Sequence, residues 1–153
     1  MINSRALARV VPSSLLTLIL VGCATVQHRD AVPTVSVDKS TYAPGEDIVV
    51  TFSNGPGNSD DWIAVYADGK TTEGGDNDPN LKCWYYTNGT HDAGKDGASD
   101  GSVVLDSASE NSENVEADWP LAEGDYDIYF ICCEGYDVLA GPAHLTIASD
   151  AGD

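Results

Sequence analysis

Short segments rich in β-branched and aromatic residues, separated by runs of Gly, Pro, Asn and Asp, dominate the chain between residues 34 and 148. Each segment has the length and residue types of a strand, and the residues between them are those that turns require. The longest interruptions, 68–80 and 90–100, have the composition of loops. The pattern predicts an all-β fold, a seven-stranded immunoglobulin-like sandwich of two sheets. The predicted strands are Val35–Val37, Asp47–Ser53, Trp62–Tyr66, Lys82–Thr87, Ser102–Leu105, Asp125–Cys133 and Ala143–Ile147.

The sixth predicted strand opens with a sequence typical of a tyrosine corner. Tyr126 follows a turn at Gly124 and stands two residues before the apolar Ile128. In such a corner the tyrosine hydroxyl ties the crossing loop to the strand. The period-two alternation also predicts that Asp125 and Asp127 face water. An ordinary amphipathic strand would show the same alternation.

Residues 1–22 have the organisation of an export signal. Two arginines and no acidic residue precede the apolar stretch Leu15–Val21, which is much shorter than the roughly 20 residues of a membrane-spanning helix. The ending Leu20-Val21-Gly22-Cys23 resembles the bacterial lipobox. That resemblance implies cleavage before Cys23 and acylation of both its thiol and its new amino group. Several acyl chains, such as palmitate, anchor a protein stably where one does so marginally. The alternative is an ordinary cleaved signal with a chance cysteine.

The remaining chain divides into three parts. Residues 23–33 are polar and are interpreted as a lipidated tether, residues 34–148 as one domain, and residues 149–153 as an acidic tail. Ala24 occupies the position after the cysteine where an aspartate would resemble the signal for inner-membrane retention. We therefore expect an envelope lipoprotein, in the outer membrane if the source is Gram-negative.

The chain is strongly acidic, with a formal net charge of −18. All 25 acidic residues follow Gly22, and five basic residues accompany them, so removal of the signal leaves a net charge of −20. Such a field repels nucleic acid and anionic head groups, and phosphate binding requires clustered Lys and Arg. A nucleic-acid partner is therefore not expected, whereas cations and cationic partners are favoured.

Two further groups of motifs resemble a known family. Tyr42-Ala43-Pro44-Gly45-Glu46-Asp47-Ile48, Asp61-Trp62-Ile63-Ala64-Val65-Tyr66 and the aromatic strand at Trp84 resemble SKICH-type immunoglobulin-like domains. Trp119-Pro120-Leu121, Gly124-Asp125-Tyr126-Asp127 and the segment from Glu134 to Ala140 resemble bacterial relatives that are fused to metallophosphoesterases. The resemblance covers about Val35 to Ile147 and implies the fold. It implies an accessory or docking role rather than catalysis, since this chain has no catalytic domain.

Three cysteines remain once Cys23 is lipidated. An odd number in an oxidising compartment leaves at least one thiol outside any internal disulfide. Cys83 could pair with Cys132 or Cys133 across about 50 residues of chain. If the two strands are not neighbours in one sheet, their Cα atoms exceed the roughly 7 Å reach of a disulfide.

The acidic loops offer oxygen ligands of the kind that calcium prefers. The candidate residues are Asp76, Asp78, Asp92, Asp96 and Asp100. Their spacing does not follow the Asp-x-Asp-x-Asp-Gly pattern of a calcium loop. Solvated loops are therefore the main interpretation, and no cofactor is expected, with calcium as the alternative. A metal held by the three cysteines with His91 or His144 is disfavoured, because their spacing matches no zinc ribbon or finger.

Trp84 and Tyr86 are the candidate binding aromatics. If Cys83 points into the core, both residues lie side by side on the outer face, where they could stack on a sugar or anchor a protein. The family resemblance favours the opposite parity, with Trp84 in the core, and we expect core packing.

No catalytic motif was found in the sequence, and the histidines outside the signal, His28, His91 and His144, are isolated along the chain. The sequence therefore predicts a non-catalytic, envelope-anchored module that binds a protein or a glycan. A calcium-dependent accessory subunit of a separately encoded hydrolase and a purely structural surface lipoprotein are the alternatives.

Overall fold

The computed structural model describes residues 31–72, 78–110, 119–133 and 136–149, and within these ranges every regular element is a strand. The all-β prediction is confirmed. In chain order the strands are β1 (Thr34–Val37), β2 (Thr41–Tyr42), β3 (Ile48–Ser53), β4 (Trp62–Ala67), β5 (Leu81–Tyr86), β6 (Gly101–Leu105), β7 (Gly124–Cys132) and β8 (Asp137–Ile147).

The strands form two sheets that face each other, as predicted. The smaller sheet has the order β1-β3-β6, and the larger has the order β2-β8-β7-β4-β5. All pairs are antiparallel except β2 with β8. The structure describes eight strands rather than seven because β2, only two residues long, adds to the edge of β8 with Tyr42 opposite Ile147.

The core between the sheets is built from alternate residues of the long strands. Phe52 of β3 and Phe130 of β7 meet across it with ring centroids 5.2 Å apart. Removing such side chains from water is the largest favourable contribution to folding of a domain of this size. Other fully buried members are Tyr42, Ile48, Val50, Ile63, Val65, Leu105 and Ile128.

The tyrosine corner at the start of β7 is present. The Tyr126 hydroxyl donates to the backbone carbonyl of Ala122 at 2.9 Å. This bond ties the loop that crosses between the sheets to the strand that follows it. The sequence pattern therefore located both the strand and its anchor.

The last strand is longer than predicted, because it continues on both sides of Gly141-Pro142. Ile128 pairs with Ala143 and Phe130 with Ala140, so two residues of β8 lie opposite one residue of β7. This arrangement is a β-bulge, which accommodates a proline inside a strand. Gly141 has φ +117°, and a Cβ there would lie 2.7 Å from the Ile128 carbonyl oxygen.

Several predictions concern residues outside the described ranges. The signal peptide 1–22, Cys23 and the tether up to residue 30 lie there, as does the tail from residue 150. In the part of the chain that the structure covers, no helix has the length and apolar character needed to cross a membrane.

Candidate functional site

The outer face of the five-stranded sheet carries a second apolar layer, which is rich in aromatic residues. Trp62 lies at its centre, and its ring makes edge contacts with Trp84 at 5.8 Å and with Tyr136 at 5.7 Å. Trp84 in turn meets Tyr86 at 5.0 Å with the rings perpendicular. We call Trp62, Trp84, Tyr86 and Tyr136 the aromatic cluster. Trp62 is buried, whereas the other three are half-buried and present part of their rings to the surface.

The position of Trp84 corrects the expectation that it belongs to the core. Cys83 and Tyr85 point into the core between the sheets, so the alternation along β5 turns Trp84 and Tyr86 outward. The parity argument from Cys83 was right, and the parity favoured by the family resemblance was wrong. The second apolar layer on the outer face gives Trp84 packing partners outside the central core.

His91 extends the aromatic cluster on the side of the loop that follows β5. Its ring lies 4.5 Å from that of Trp84 and 4.9 Å from that of Tyr85, and its Nε2 is 2.8 Å from the Trp84 carbonyl oxygen. The backbone amide of Tyr86 donates to Thr90, which fixes the start of this loop. The exposed Asp92 and Asp96 follow on the same loop.

The cysteines pair differently from the bridge considered between Cys83 and its distant partners. Cys132 and Cys133 form a disulfide with each other, and Cys83 is a buried thiol on β5. The physical reason is the strand order, since β4 lies between β5 and β7. Strands are about 4.8 Å apart, so the Cα atoms of Cys83 and Cys132 lie beyond the reach of a disulfide.

The buried Asp61 stands beside this disulfide and holds the loop before β4. Its Oδ2 accepts from the backbone amide of Asn58 at 2.9 Å, and its Oδ1 accepts from Asn58 Nδ2 at 3.1 Å. The same Nδ2 lies 3.7 and 3.6 Å from the sulfurs of Cys132 and Cys133. Both oxygens of Asp61 are therefore used within the fold.

Three of the aspartates proposed for calcium accept hydrogen bonds within the fold. Asp78 Oδ1 accepts from both the amide and the side chain of Asn80, Asp92 Oδ1 accepts from the amide of Gly94, and Asp100 Oδ1 accepts from the amide of Asn54. Asp96 is exposed. Among the described residues these four join no group of three converging metal-ligating side chains. Asp76, the fifth candidate, lies outside the described ranges.

Two other groups of potential ligands do converge in the described part of the chain. One is Asp61 with Cys132 and Cys133, whose sulfurs are bonded to each other, and the second is Asp68 with Asp127 and His144. Asp127 is only 2% exposed, so the prediction that it faces water was wrong. The chain after β4 folds back over it, and the backbone amide of Gly69 donates to its Oδ2 at 2.9 Å.

Two tyrosines next to Asp127 are neutral at physiological pH. Burial raises the pKa of Tyr66 to about 12. Burial, together with the negative charge of Asp127, also raises the pKa of Tyr129. The two rings make an edge contact at 6.0 Å on the outer face of the sheet. Neither phenol therefore adds a negative charge beside the Asp127 carboxylate.

Sequence reasoning missed the grouping of Asp68, Asp127 and His144. His144 and Asp127 are directly opposite each other in the β7–β8 pair, a relation that depends on two register shifts, one of them the bulge at Gly141. The alternation along the two strands was the signal available in the sequence. It predicts which residues face outward, but it does not show which of them lie opposite each other across the bulge.

Comparisons with known proteins give no relative for this chain: no family model, no curated protein and no solved structure matches it.

Proposed function

We propose that this protein is a lipid-anchored component of the bacterial envelope whose domain is a non-catalytic adaptor for a basic protein. The observation that carries the proposal is the aromatic cluster on the outer face of the five-stranded sheet. Trp84, Tyr86 and Tyr136 remain half-buried around a buried Trp62. Tryptophan and tyrosine are the residues that most often dominate the free energy of protein association.

The geometry of the cluster suits a rigid docking surface. Each ring is held by edge contacts with its neighbour, and His91 covers part of the Trp84 ring. Side chains that are already ordered lose less conformational entropy when a partner binds. Trp84 and Tyr86 can therefore contribute apolar contact area at a low entropic cost.

The charge of the chain favours a protein over a glycan as the partner. A net charge of −18 steers a cationic protein surface toward the domain, whereas a neutral glycan gains nothing from it and an anionic glycan is repelled. The loop next to the cluster adds the exposed Asp92 and Asp96. Half-buried aromatic rings on a chain of strongly negative net charge are complementary to a patch of apolar and basic residues.

The assignment to the immunoglobulin type, and to SKICH-like domains within it, is part of the same proposal. Support comes from the strand order, in which β1-β3-β6 faces a sheet containing β8, β7 and β4, and from the tyrosine corner on β7. In this assignment β7 is the strand that carries the corner in immunoglobulin domains. Accessory domains of this type act by docking, which agrees with the proposed role.

Anchoring through Cys23 is tested independently of the partner. We expect Cys23→Ser to abolish incorporation of a labelled fatty acid and to release the protein from the membrane fraction, because serine offers no thiol for acylation. The matched control is Cys83→Ser, which leaves the lipobox intact. Retention of both label and membrane association by Cys23→Ser would disprove the anchor.

Partner binding is tested with the full chain in detergent-solubilised envelopes. We expect the chain to capture a basic protein that is lost with the double variant Trp84→Ala/Tyr86→Ala and released by salt. Val104, an exposed residue of the smaller sheet, provides the control variant Val104→Ala. Capture that is equal for all three chains, or binding to a glycan array in place of a protein, would contradict the proposal. No ligand in either assay would indicate a purely structural lipoprotein.

A further inference from the structure

The group of Asp68, Asp127 and His144 lies on the outer face of the larger sheet, apart from the residues used above for partner binding. Its three ligand atoms, one from each side chain, lie within 4.8 Å of one another. Asp127 is contributed by β7, His144 by β8, and Asp68 by the loop after β4. Three separate segments of chain therefore bring one imidazole and two carboxylates to one point.

The buried carboxylate of Asp127 has one oxygen satisfied and one that is not. Oδ2 accepts the hydrogen bond from Gly69, whereas Oδ1 is buried and accepts no hydrogen bond. His144 Nδ1 lies 2.5 Å from Oδ1, in contact but without the alignment of a hydrogen bond. A buried carboxylate oxygen in this condition is costly unless a cation approaches it. This oxygen is the one that faces His144.

The surroundings orient the buried Asp127 and leave Asp68 and His144 accessible. The amide of Gly69 orients the Asp127 carboxylate, as hydrogen bonds behind metal ligands commonly do. The amide of Asp68 donates to the carbonyl of Asp125 at 3.2 Å, which fixes the loop against β7. The His144 side chain is 72% exposed and lines a surface cavity of about 190 Å³ together with Asp68 and Asp125. An ion can therefore reach Asp68 and His144 from solvent.

We propose that Asp68, Asp127 and His144 form a binding site for a divalent d-block cation of the zinc type. Imidazole nitrogen with carboxylate oxygen suits zinc and its neighbours, whereas calcium and magnesium take sets of oxygen ligands. Three protein ligands leave a coordination position for water or for a group of a partner. Ligands of one tetrahedral zinc lie roughly 3.3 Å apart, so the exposed His144 ring moves away from Oδ1 by less than about 1 Å when the ion enters.

An ion pair between protonated His144 and Asp127 is the competing explanation of the same contact. It accounts for two of the three residues and assigns no role to Asp68. It also predicts that removing His144 has no effect on metal affinity. The two explanations therefore differ in a binding measurement.

The test is calorimetric titration of ZnCl2 into the full chain in detergent, without a histidine tag and without reductant, so that the Cys132–Cys133 disulfide stays closed. We expect one equivalent to bind. His144→Ala and Asp127→Asn should each weaken the affinity at least about tenfold. Asp125→Asn is the matched control, because Asp125 lines the same cavity but its Oδ1 accepts from Thr146 at 2.6 Å.

Absorption of the Co²⁺-loaded chain gives a second readout. We expect visible bands from the bound ion that disappear in His144→Ala while circular dichroism shows an unchanged fold. No zinc binding by the unaltered chain would overturn the proposal. Binding by His144→Ala and Asp127→Asn that is as tight as binding by the unaltered chain would overturn it too. These outcomes do not depend on partner capture, so this site and the proposed adaptor role can fail separately.

Discussion

Two buried aspartates lie beside β4, one near each end, and they differ in how their oxygens are used. Asp61 precedes the strand, and both its oxygens accept hydrogen bonds from Asn58. Asp127 lies opposite Tyr66 near the other end, and only its Oδ2 accepts a hydrogen bond. The comparison teaches that burial of a carboxylate does not itself indicate a site. A buried aspartate is a candidate metal ligand when one of its oxygens accepts no hydrogen bond within the fold. It is a structural anchor when both oxygens do.

The largest effect is expected where the loop that carries Asn58 meets the loop before β6. A Cβ on Gly97 would lie 2.1 Å from the carbonyl oxygen of Asn58, a backbone atom that cannot move without disturbing Asp61. We expect Gly97→Ala to lower the free energy of unfolding by about 3 kcal/mol in urea denaturation.

Gly101→Ala is the control for this substitution. Its Cβ would meet the Phe52 ring at 3.0 Å, which is a side-chain contact that can adjust, and the expected loss is on the order of 1 kcal/mol. A loss for Gly97→Ala no larger than that for Gly101→Ala would show that the Asn58 loop is not rigidly held.

The same isosteric substitution at the two aspartates gives the next largest difference. Asp61→Asn replaces one accepting oxygen by an amide group that faces a donor of Asn58, and we expect a loss of about 2 kcal/mol in the free energy of unfolding. Asp127→Asn retains an oxygen for the amide of Gly69 and removes a buried charge, so without metal its effect should be below about 1 kcal/mol.

Zinc sharpens the comparison further. Saturating zinc should stabilise Asp61→Asn by as much as it stabilises the unaltered chain, since a ligand that binds only the folded state adds to its stability. It should stabilise Asp127→Asn less, since that variant is expected to bind zinc at least about tenfold more weakly. Equal losses for the two variants without metal, or equal gains with it, would remove the distinction between the two aspartates.

The sequence predicted most of the fold because segments of β-branched and aromatic residues are separated by turn residues. β3 follows the period-two pattern closely, and the turn before Tyr126 located the corner at the start of β7. β2 was not predicted, because two residues give no periodicity and its pairing with β8 is a long-range contact. The N-terminal part of β8 was missed because Pro142 is typical of a strand end, and only tertiary pairing shows the bulge that contains it.

The candidate site was less predictable for the same reason. Alternation places Asp127 on the outer face, but only the structure shows that the chain after β4 covers it. His144 was isolated in sequence and becomes a neighbour of Asp127 only through the register that the bulge sets. The outward position of Trp84, in contrast, followed from the inward position of Cys83, because neighbouring residues of a strand face opposite sides. Strand alternation predicted this residue correctly, whereas the family resemblance did not.

The most direct test of the central claim, that Asp127 is ready to bind a cation and Asp61 is not, is anomalous diffraction at the zinc absorption edge from crystals of the chain grown with ZnCl2. The account predicts a peak about 2.0–2.2 Å from Asp127 Oδ1, His144 Nδ1 and a carboxylate oxygen of Asp68. A map with no peak at Asp127, or with its peak beside Asp61, would contradict it.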